Sequence, residues 1–248
     1  MSTTAGSTAG PTADPTPRRA GERVAAVVDL AAITANVRTL LALMRGSNPA
    51  GSVMAVVKAD GYGHGAVAAA QAALAGGATW LGVATPTEAL QLRAAGVDAP
   101  VLAWLWPPGE RVAPALAAGV QLAVSSREQL DRVLDQAVGA VPDIHVKVDT
   151  GLGRGGVGPA EIGAVLDAVA AAQRAGRVRV AGLMSHLASA DVPDDPSVPE
   201  QTATFHRILA AAADRGIDPP LRHLANTAGL IDHPATRLDL VRVGIGGY

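Results

Sequence analysis

Short apolar runs with little polar alternation recur along the chain, separated by alanine-rich stretches with helical spacing. The runs predict strands over 24–28, 53–57, 79–83, 100–104, 121–124, 143–148, 179–184, 221–224 and 238–243. The stretches between them predict helices near 31–45, 65–75, 86–95, 110–118, 126–138, 159–175 and 199–215. Turn signals divide the two kinds at Gly76-Gly77, Gly96, Pro107-Pro108, Gly119, Gly176, Gly216 and Pro219-Pro220. A strand that lacks polar alternation is buried on both faces, and regular strand-helix alternation supplies the helices that cover a parallel sheet. With the run at 24–28 set apart, eight strands follow from residue 53, and the helix at 31–45 enters before them. About 200 residues for eight units fits an α/β chain closed into a (β/α)8 TIM-type barrel better than an open doubly wound sheet. Chemistry in such a barrel gathers at the carboxyl ends of the strands.

Composition narrows the picture. The 248 residues are 49% hydrophobic, enough for a sizeable core, and a net charge of −2 argues against a nucleic-acid partner. The chain has no cysteine, which excludes a disulfide scaffold and a thiolate metal site. Residues 1–20 are rich in Thr, Ala, Gly and Pro and read as a disordered tail, leaving 21–248 for the barrel domain. Gly65–Thr87 carries no charge, but Gly76-Gly77 breaks it and Gln71 interrupts it, so a helix followed by a strand is expected rather than a membrane span. The expected protein is soluble and cytoplasmic, without membrane or nucleic-acid partners.

One segment carries most of the chemistry, Ala55-Val-Val-Lys58-Ala-Asp-Gly-Tyr62-Gly-His-Gly65. A lysine ends an apolar run, and a glycine-rich turn follows with a tyrosine hydroxyl. Most lysines near a strand end are solvated, yet the buried character of residues 53–57 makes a surface lysine less natural here. An amine beside a turn that can approach an anion suits a phosphorylated aldehyde, held by an imine and by its phosphate. No G-x-x-x-x-G-K-[ST] phosphate loop, no G-x-S-x-G and no H-E-x-x-H occurs, so nucleotide, serine-hydrolase and metal-centre readings lack support. Gly151, Gly153 and Gly156 match G-x-G-x-x-G, but no acidic residue ends a strand about 20 residues later to hold a ribose. The Asn226-Thr227 pair offers a hydroxyl and backbone N–H groups for an anion, and equally an ordinary helix cap.

The Lys58 segment resembles the pyridoxal-phosphate signature of the alanine racemases, and four later motifs match in order. These are Lys147-Val-Asp149-Thr-Gly-Leu-Gly-Arg154-Gly-Gly156, Gly182-Leu-Met-Ser-His186, His223-Leu-Ala-Asn226-Thr227 and Asp239-Leu-Val-Arg242-Val-Gly244-Ile245. The resemblance spans roughly 23–248 and implies roles residue by residue. Lys58 would carry pyridoxal 5'-phosphate and move the substrate proton. Tyr62, Asn226, Thr227 and the N–H groups of Gly244 and Ile245 would hold the phosphate. Arg154 would contact the cofactor's phenolic oxygen and the substrate carboxylate, His186 would lie beside the pyridine ring, and Arg242 would face its nitrogen. Because a guanidinium is a permanent donor, that nitrogen would stay unprotonated. Lys147 matches a lysine often carbamylated in the family, and an ion pair with Asp149 or Asp143 is the plainer alternative.

The same resemblance implies a β-rich second domain beyond Tyr248, with a tyrosine that supplies the second acid/base to a partner subunit. The expected function is interconversion of L- and D-alanine for peptidoglycan by a homodimer, with this chain a fragment lacking that second base. The alternative is a stand-alone pyridoxal-phosphate carrier without turnover. A related decarboxylase is disfavoured by Arg242, where an acid would be expected.

Overall fold

The computed structural model describes residues 25–248. The expected tail over 1–20 lies outside the described residues. In chain order the elements are α1 (Leu30–Ser47), β1 (Ser52–Val56), α2 (Lys58–Tyr62), α3 (Ala66–Ala75), β2 (Trp80–Val83), α4 (Pro86–Ala94) and β3 (Val101–Ala103). There follow α5 (Ala113–Ala117), β4 (Gln121–Val124), α6 (Arg127–Gln136), β5 (Asp143–Lys147), α7 (Ile162–Arg174) and β6 (Arg179–Met184). The chain ends with α8 (Ser197–Ala213), β7 (Leu221–His223), α9 (Thr227–Asp232) and β8 (Leu240–Val243).

All eight strands are parallel, in the order β7-β6-β5-β4-β3-β2-β1-β8. The seam between β7 and β8 is narrowed by backbone bonds from Asp239 N–H to Arg222 O and from Arg242 N–H to Ala225 O, both 3.0 Å. Across it the Arg222 guanidinium forks onto Asp239 at 2.6 and 3.0 Å. The sheet is thus a nearly closed barrel, as the apolar runs predicted.

Alternate residues of each strand face opposite sides, and both sides are buried. Val53, Ala55, Leu81, Val101, Leu122, Ile144, Leu183 and Val241 join the large core between sheet and helices. Met54, Leu102, Ala123, Met184 and Leu240 form a second, smaller cluster, against which Trp80 and Trp104 pack. Gly82 makes room there, since a Cβ would meet the Trp104 ring and the Met54 sulfur. Gln121, His145, Lys147, His223 and Arg242 share the parity of that inner set and give one side of the interior a polar lining.

One expected strand does not form. Residues 25–28 are irregular and exposed, with Val27 71% accessible. A strand needs a neighbour to take its backbone groups, and both edges of β1 are already occupied by β2 and β8. Instead the segment leads to Asp29, whose carboxylate caps α1 by accepting from Ala31 N–H (2.9 Å) and Ala32 N–H (3.1 Å). The helix expected over 110–118 is shortened to Ala113–Ala117, behind the turn at Pro107-Pro108. Among the described residues no helix is long and apolar enough to cross a membrane.

Candidate active site

A cavity of about 530 Å³ opens at the carboxyl ends of the strands. Lys58 and Tyr62 reach it from the turn after β1, Lys147 and Arg154 from β5 and its loop, and His186 from the end of β6. Asn226 and Thr227 come from the start of α9, and Arg242, Gly244 and Ile245 from β8 and its turn. The structure thus brings every site residue expected from the sequence to one cavity. Trp104 and Leu105 also line it and carried no expectation, and Asp191, which reads in the sequence as a solvated acid of a proline-containing loop, lines it too.

The Lys58 turn is left-handed. Ala59, Asp60, Gly61 and Tyr62 have φ of 52, 53, 62 and 53°. Each non-glycine residue there costs about 1–2 kcal/mol, so the surroundings must hold the turn in place. Glu88 does much of this. One of its oxygens accepts from Ala59 N–H at 2.8 Å, while the other accepts from Ala84 and Thr85 N–H at 2.8 and 3.0 Å. Asp60 accepts from Ala66 N–H at 2.7 Å, and Tyr248 packs its ring 4.9 Å from that of Tyr62. The Lys58 amine lies 5.7 Å from the Tyr62 ring centroid, and none of the salt bridges among the described residues involves it. Glu88 was missed in the sequence, although Thr85 and Glu88 have capping-box spacing and do cap α4.

The Arg154 loop is folded around a carboxylate. Asp149 accepts from the N–H groups of Gly151 (2.9 Å) and Gly153 (3.1 Å). Lys147 donates to the Arg154 carbonyl at 3.1 Å. The alternative ion pair for Lys147 does not form, because Asp143 is bonded to Arg179 and Asp149 to the loop. Burial, followed by the Arg242 and Arg154 charges, brings the Lys147 amine down to about 8. A third support was also missed. The Gln201 amide donates to Thr150 Oγ1 and to His186 O, both 3.0 Å, and ties the Arg154 loop to the end of β6.

Arg242 is held most tightly. It is 4% accessible, and Nη1 donates to His223 O (2.9 Å) and His223 Nδ1 (3.0 Å). Its Nη2 donates to Ser185 O (2.5 Å) and Leu224 O (3.0 Å). Burial lowers the guanidinium to about 10, which leaves it charged near neutrality. His186 is brought down to about 3 by burial and then by the positive charges of Arg242, Arg154, Lys147 and Lys58, so its imidazole is neutral.

Opposite these cations lies a group of donors. Thr227 Oγ1 is 3.1 Å from Gly244 N and 3.4 Å from Gly246 N, and accepts from both. A Cβ on Gly244 would run into the Tyr62 hydroxyl, and one on Gly246 into the Thr227 methyl. Thr227 Oγ1, accepting from both N–H groups, keeps its O–H to donate, and with the Tyr62 hydroxyl it lies beside the space that the glycines leave, donors of the kind a phosphate takes. The cap of α9 falls to Asn226, whose side-chain oxygen accepts from Gly229 N–H at 2.9 Å. Thr227 is left for the glycine turn. An amine unpaired with any carboxylate among the described residues, a phosphate-type donor cluster and a buried guanidinium on one cavity fit pyridoxal phosphate.

The family model described as the alanine racemase N-terminal domain matches residues 28–248. The alanine racemase of Thermobifida fusca is 52% identical over 223 residues, 89% of this chain and 59% of that protein. That of Mycobacterium tuberculosis is 50% identical over 225 residues, 90% of this chain and 58% of its own length. Among solved structures, alanine racemase from D-cycloserine-producing Streptomyces lavendulae superposes with a TM-score of 0.85 at 44% identity, covering 89% of this chain and 57% of that one. The Bacillus anthracis alanine racemase with bound L-Ala-P gives 0.80 at 32% identity, covering 89% and 56%. The chain spans less than two thirds of the length of these relatives.

Proposed function

The chain belongs to the alanine racemase family, and from that premise we propose that it binds pyridoxal 5'-phosphate and serves the interconversion of L- and D-alanine. The observation that carries this reading is the convergence of Lys58, Arg154, Arg242 and the Tyr62–Thr227–Gly244 donors on one cavity. Bound pyridoxal phosphate supplies an electron sink that makes the Cα–H of an attached amino acid acidic.

The protein's residues do the rest. Lys58 Nζ would hold the cofactor covalently, and its amine, when free, would take or return the Cα proton on one face. Tyr62 Oη, Thr227 Oγ1 and the N–H groups of Gly244 and Ile245, with Asn226 beside them, anchor the phosphate. Arg154 forks onto the substrate carboxylate and orients it. Arg242 would donate to the ring nitrogen and has no lone pair to accept a proton from it, and the neutral His186 imidazole would line the ring's side of the site without adding charge. Lys147, its amine lowered towards neutrality, is placed to take up CO2 as a carbamate with release of a proton, and so to orient Arg154.

Racemisation needs a second acid/base on the opposite face. The chain's two tyrosines pack against one another with rings tilted by 38°, and Tyr248 donates its hydroxyl to Val56 O at 3.1 Å, so neither is assigned that task. A cytoplasmic homodimer that supplies D-alanine for peptidoglycan is part of the proposal and rests on the family alone. The names of the relatives favour turnover over the carrier alternative.

The test is solvent-deuterium exchange at Cα with each alanine enantiomer. One enantiomer should exchange in protein loaded with pyridoxal phosphate, and Lys58→Ala should lose both that exchange and the lysine-dependent visible absorbance band. Exchange that persists in Lys58→Ala, or wild-type protein without the band, would reject the reading.

A further inference from the structure

Four polar side chains inside the barrel form a hydrogen-bond chain whose direction is fixed at one end. A guanidinium can only donate, so the contact of Arg242 Nη1 with His223 Nδ1 (3.0 Å) requires a lone pair on that nitrogen. A neutral His223 then carries its proton on Nε2, 2.8 Å from His145 Nδ1, and donates there. His145 in turn carries its proton on Nε2 and donates to Gln121 Oε1 at 2.9 Å. Each link leaves the next a single choice.

Both histidines are fully buried, and burial with the nearby Arg242 charge keeps them neutral, His145 down to about 3. The fold makes deliberate room for this pair. The β5–β6 ladder shifts register between Ile144 and His145, which brings Gly182 opposite His145. A Cβ on Gly182 would collide with the His145 ring. The two imidazoles then meet edge to face with centroids 5.0 Å apart.

The chain also determines what Arg242 has left to offer. Its terminal N–H groups are taken by His223 Nδ1, His223 O, Ser185 O and Leu224 O, with His186 Nδ1 a longer contact of Nη2 at 3.4 Å. Nε–H has no partner among the described residues, and it is not enclosed, since Ser197 Oγ is the enclosed side-chain atom left unpartnered there. Arg242 lines the cavity, so Nε–H is the donor it presents.

We propose that Gln121 and His145 are positioning residues for Arg242: the acceptor that Gln121 offers at the amino end of β4 secures the tautomers that the guanidinium requires of the two buried histidines, and so holds it with Nε–H towards the cavity. The opposite tautomer of His223 would set an N–H against Arg242 Nη1 and turn the guanidinium from its carbonyl acceptors. The link from Arg242 to the cofactor rests on the proposed function, whereas the tautomers belong to the protein alone.

The experiment is long-range proton–nitrogen NMR on protein labelled at histidine, with His145→Gln used to assign signals, together with titration of pyridoxal phosphate. Wild type should show His145 and His223 neutral and protonated on Nε2. Gln121→Glu keeps an acceptor, and should keep both tautomers and a pyridoxal phosphate Kd within about twofold. Gln121→Met removes the acceptor, and should mix the tautomers and raise Kd about fivefold. A packing role predicts the reverse order, because methionine fits an apolar interior and glutamate does not. An Nδ1–H tautomer on either histidine in wild type, or that reversed order, would overturn the proposal. Should pyridoxal phosphate give no lysine-dependent band in wild type, the proposed function falls, and the tautomers still decide whether the chain is set from Gln121.

Discussion

Lys58 and Arg242 stand at the carboxyl ends of paired strands, β1 and β8, and the protein treats them in opposite ways. Around Lys58 the backbone is strained and clamped, through Glu88 and Asp60, while no carboxylate among the described residues pairs with the amine. Around Arg242 the backbone is an ordinary strand and the side chain itself is clamped, by carbonyls and an imidazole. The difference follows from what each group is asked to do. An amine that forms and releases a covalent bond and moves a proton needs its lone pair available, so order is imposed on its backbone. A guanidinium that only donates works best when every degree of freedom is removed.

Removing each side chain should therefore separate activity from stability. Lys58→Ala is expected to lower Cα–H exchange of alanine by about 10⁴-fold and to change unfolding free energy by under about 1 kcal/mol, since no buried partner is orphaned. Arg242→Met is expected to cost about 3 kcal/mol or more in denaturant unfolding, because the carbonyls of Ser185 and Leu224 are left without a donor and that of His223 keeps only the Ser185 N–H at 3.3 Å. Equal stability losses in the two variants would dissolve the contrast.

The clamp on the lysine turn is open to a finer substitution. Glu88→Gln keeps the shape but leaves one oxygen to serve three N–H groups, and it sets an amide N–H against the others. A loss of about 2 kcal/mol is expected, with weaker pyridoxal phosphate binding as the lysine turn loosens. Unchanged cofactor affinity in a destabilised Glu88→Gln would show that the turn holds without the carboxylate.

Lys147 lies between the two extremes, buried like Arg242 but with an amine that titrates. Its folded value is depressed to about 8 from the ordinary 10.5 by burial and by the Arg242 and Arg154 charges. Between those values the unfolded chain holds the proton that the folded chain has released, so stability rises with pH across that window and the penalty is complete below it. Lys147→Met should flatten that rise in unfolding curves taken across the window. A rise of the same size in both proteins would assign it to other groups.

The barrel was legible because its strands read as unbroken apolar runs, and the site was legible because its motifs sit where those runs end. The segment at 24–28 misled for the same reason: Val24 to Val28 has a strand's composition, and composition does not reveal whether a partner edge exists. The left-handed turn was hidden because only Gly61 of Ala59–Tyr62 signals positive φ. Thr85 and Glu88 carry the spacing of a cap of α4 that the sequence reading passed over, but the bond of Glu88 to Ala59 spans 29 residues and is set by the tertiary fold. His145, His223 and Gln121 could be joined only with the barrel's register in hand, including the shift beside His145.

The smallest expected effect tests the contrast most directly, by making one change at two places four residues apart. Ala55 lies within β1, 4% accessible, in extended backbone. Ala59 lies in the lysine turn at φ 52° and ψ 51°. Glycine at 55 frees the unfolded chain and removes a packed methyl, so Ala55→Gly should destabilise by about 1 kcal/mol. Glycine at 59 carries the same entropic cost but relieves about 1–2 kcal/mol of left-handed strain, so Ala59→Gly should stabilise by about 0.5 kcal/mol. Its N–H remains available to Glu88, so the clamp is not disturbed. Opposite signs in paired denaturant titrations would place the strain in the turn and not in the strand that leads to it. A loss at both positions would mean that the turn is relaxed by its surroundings, and that Lys58 is presented without stored strain.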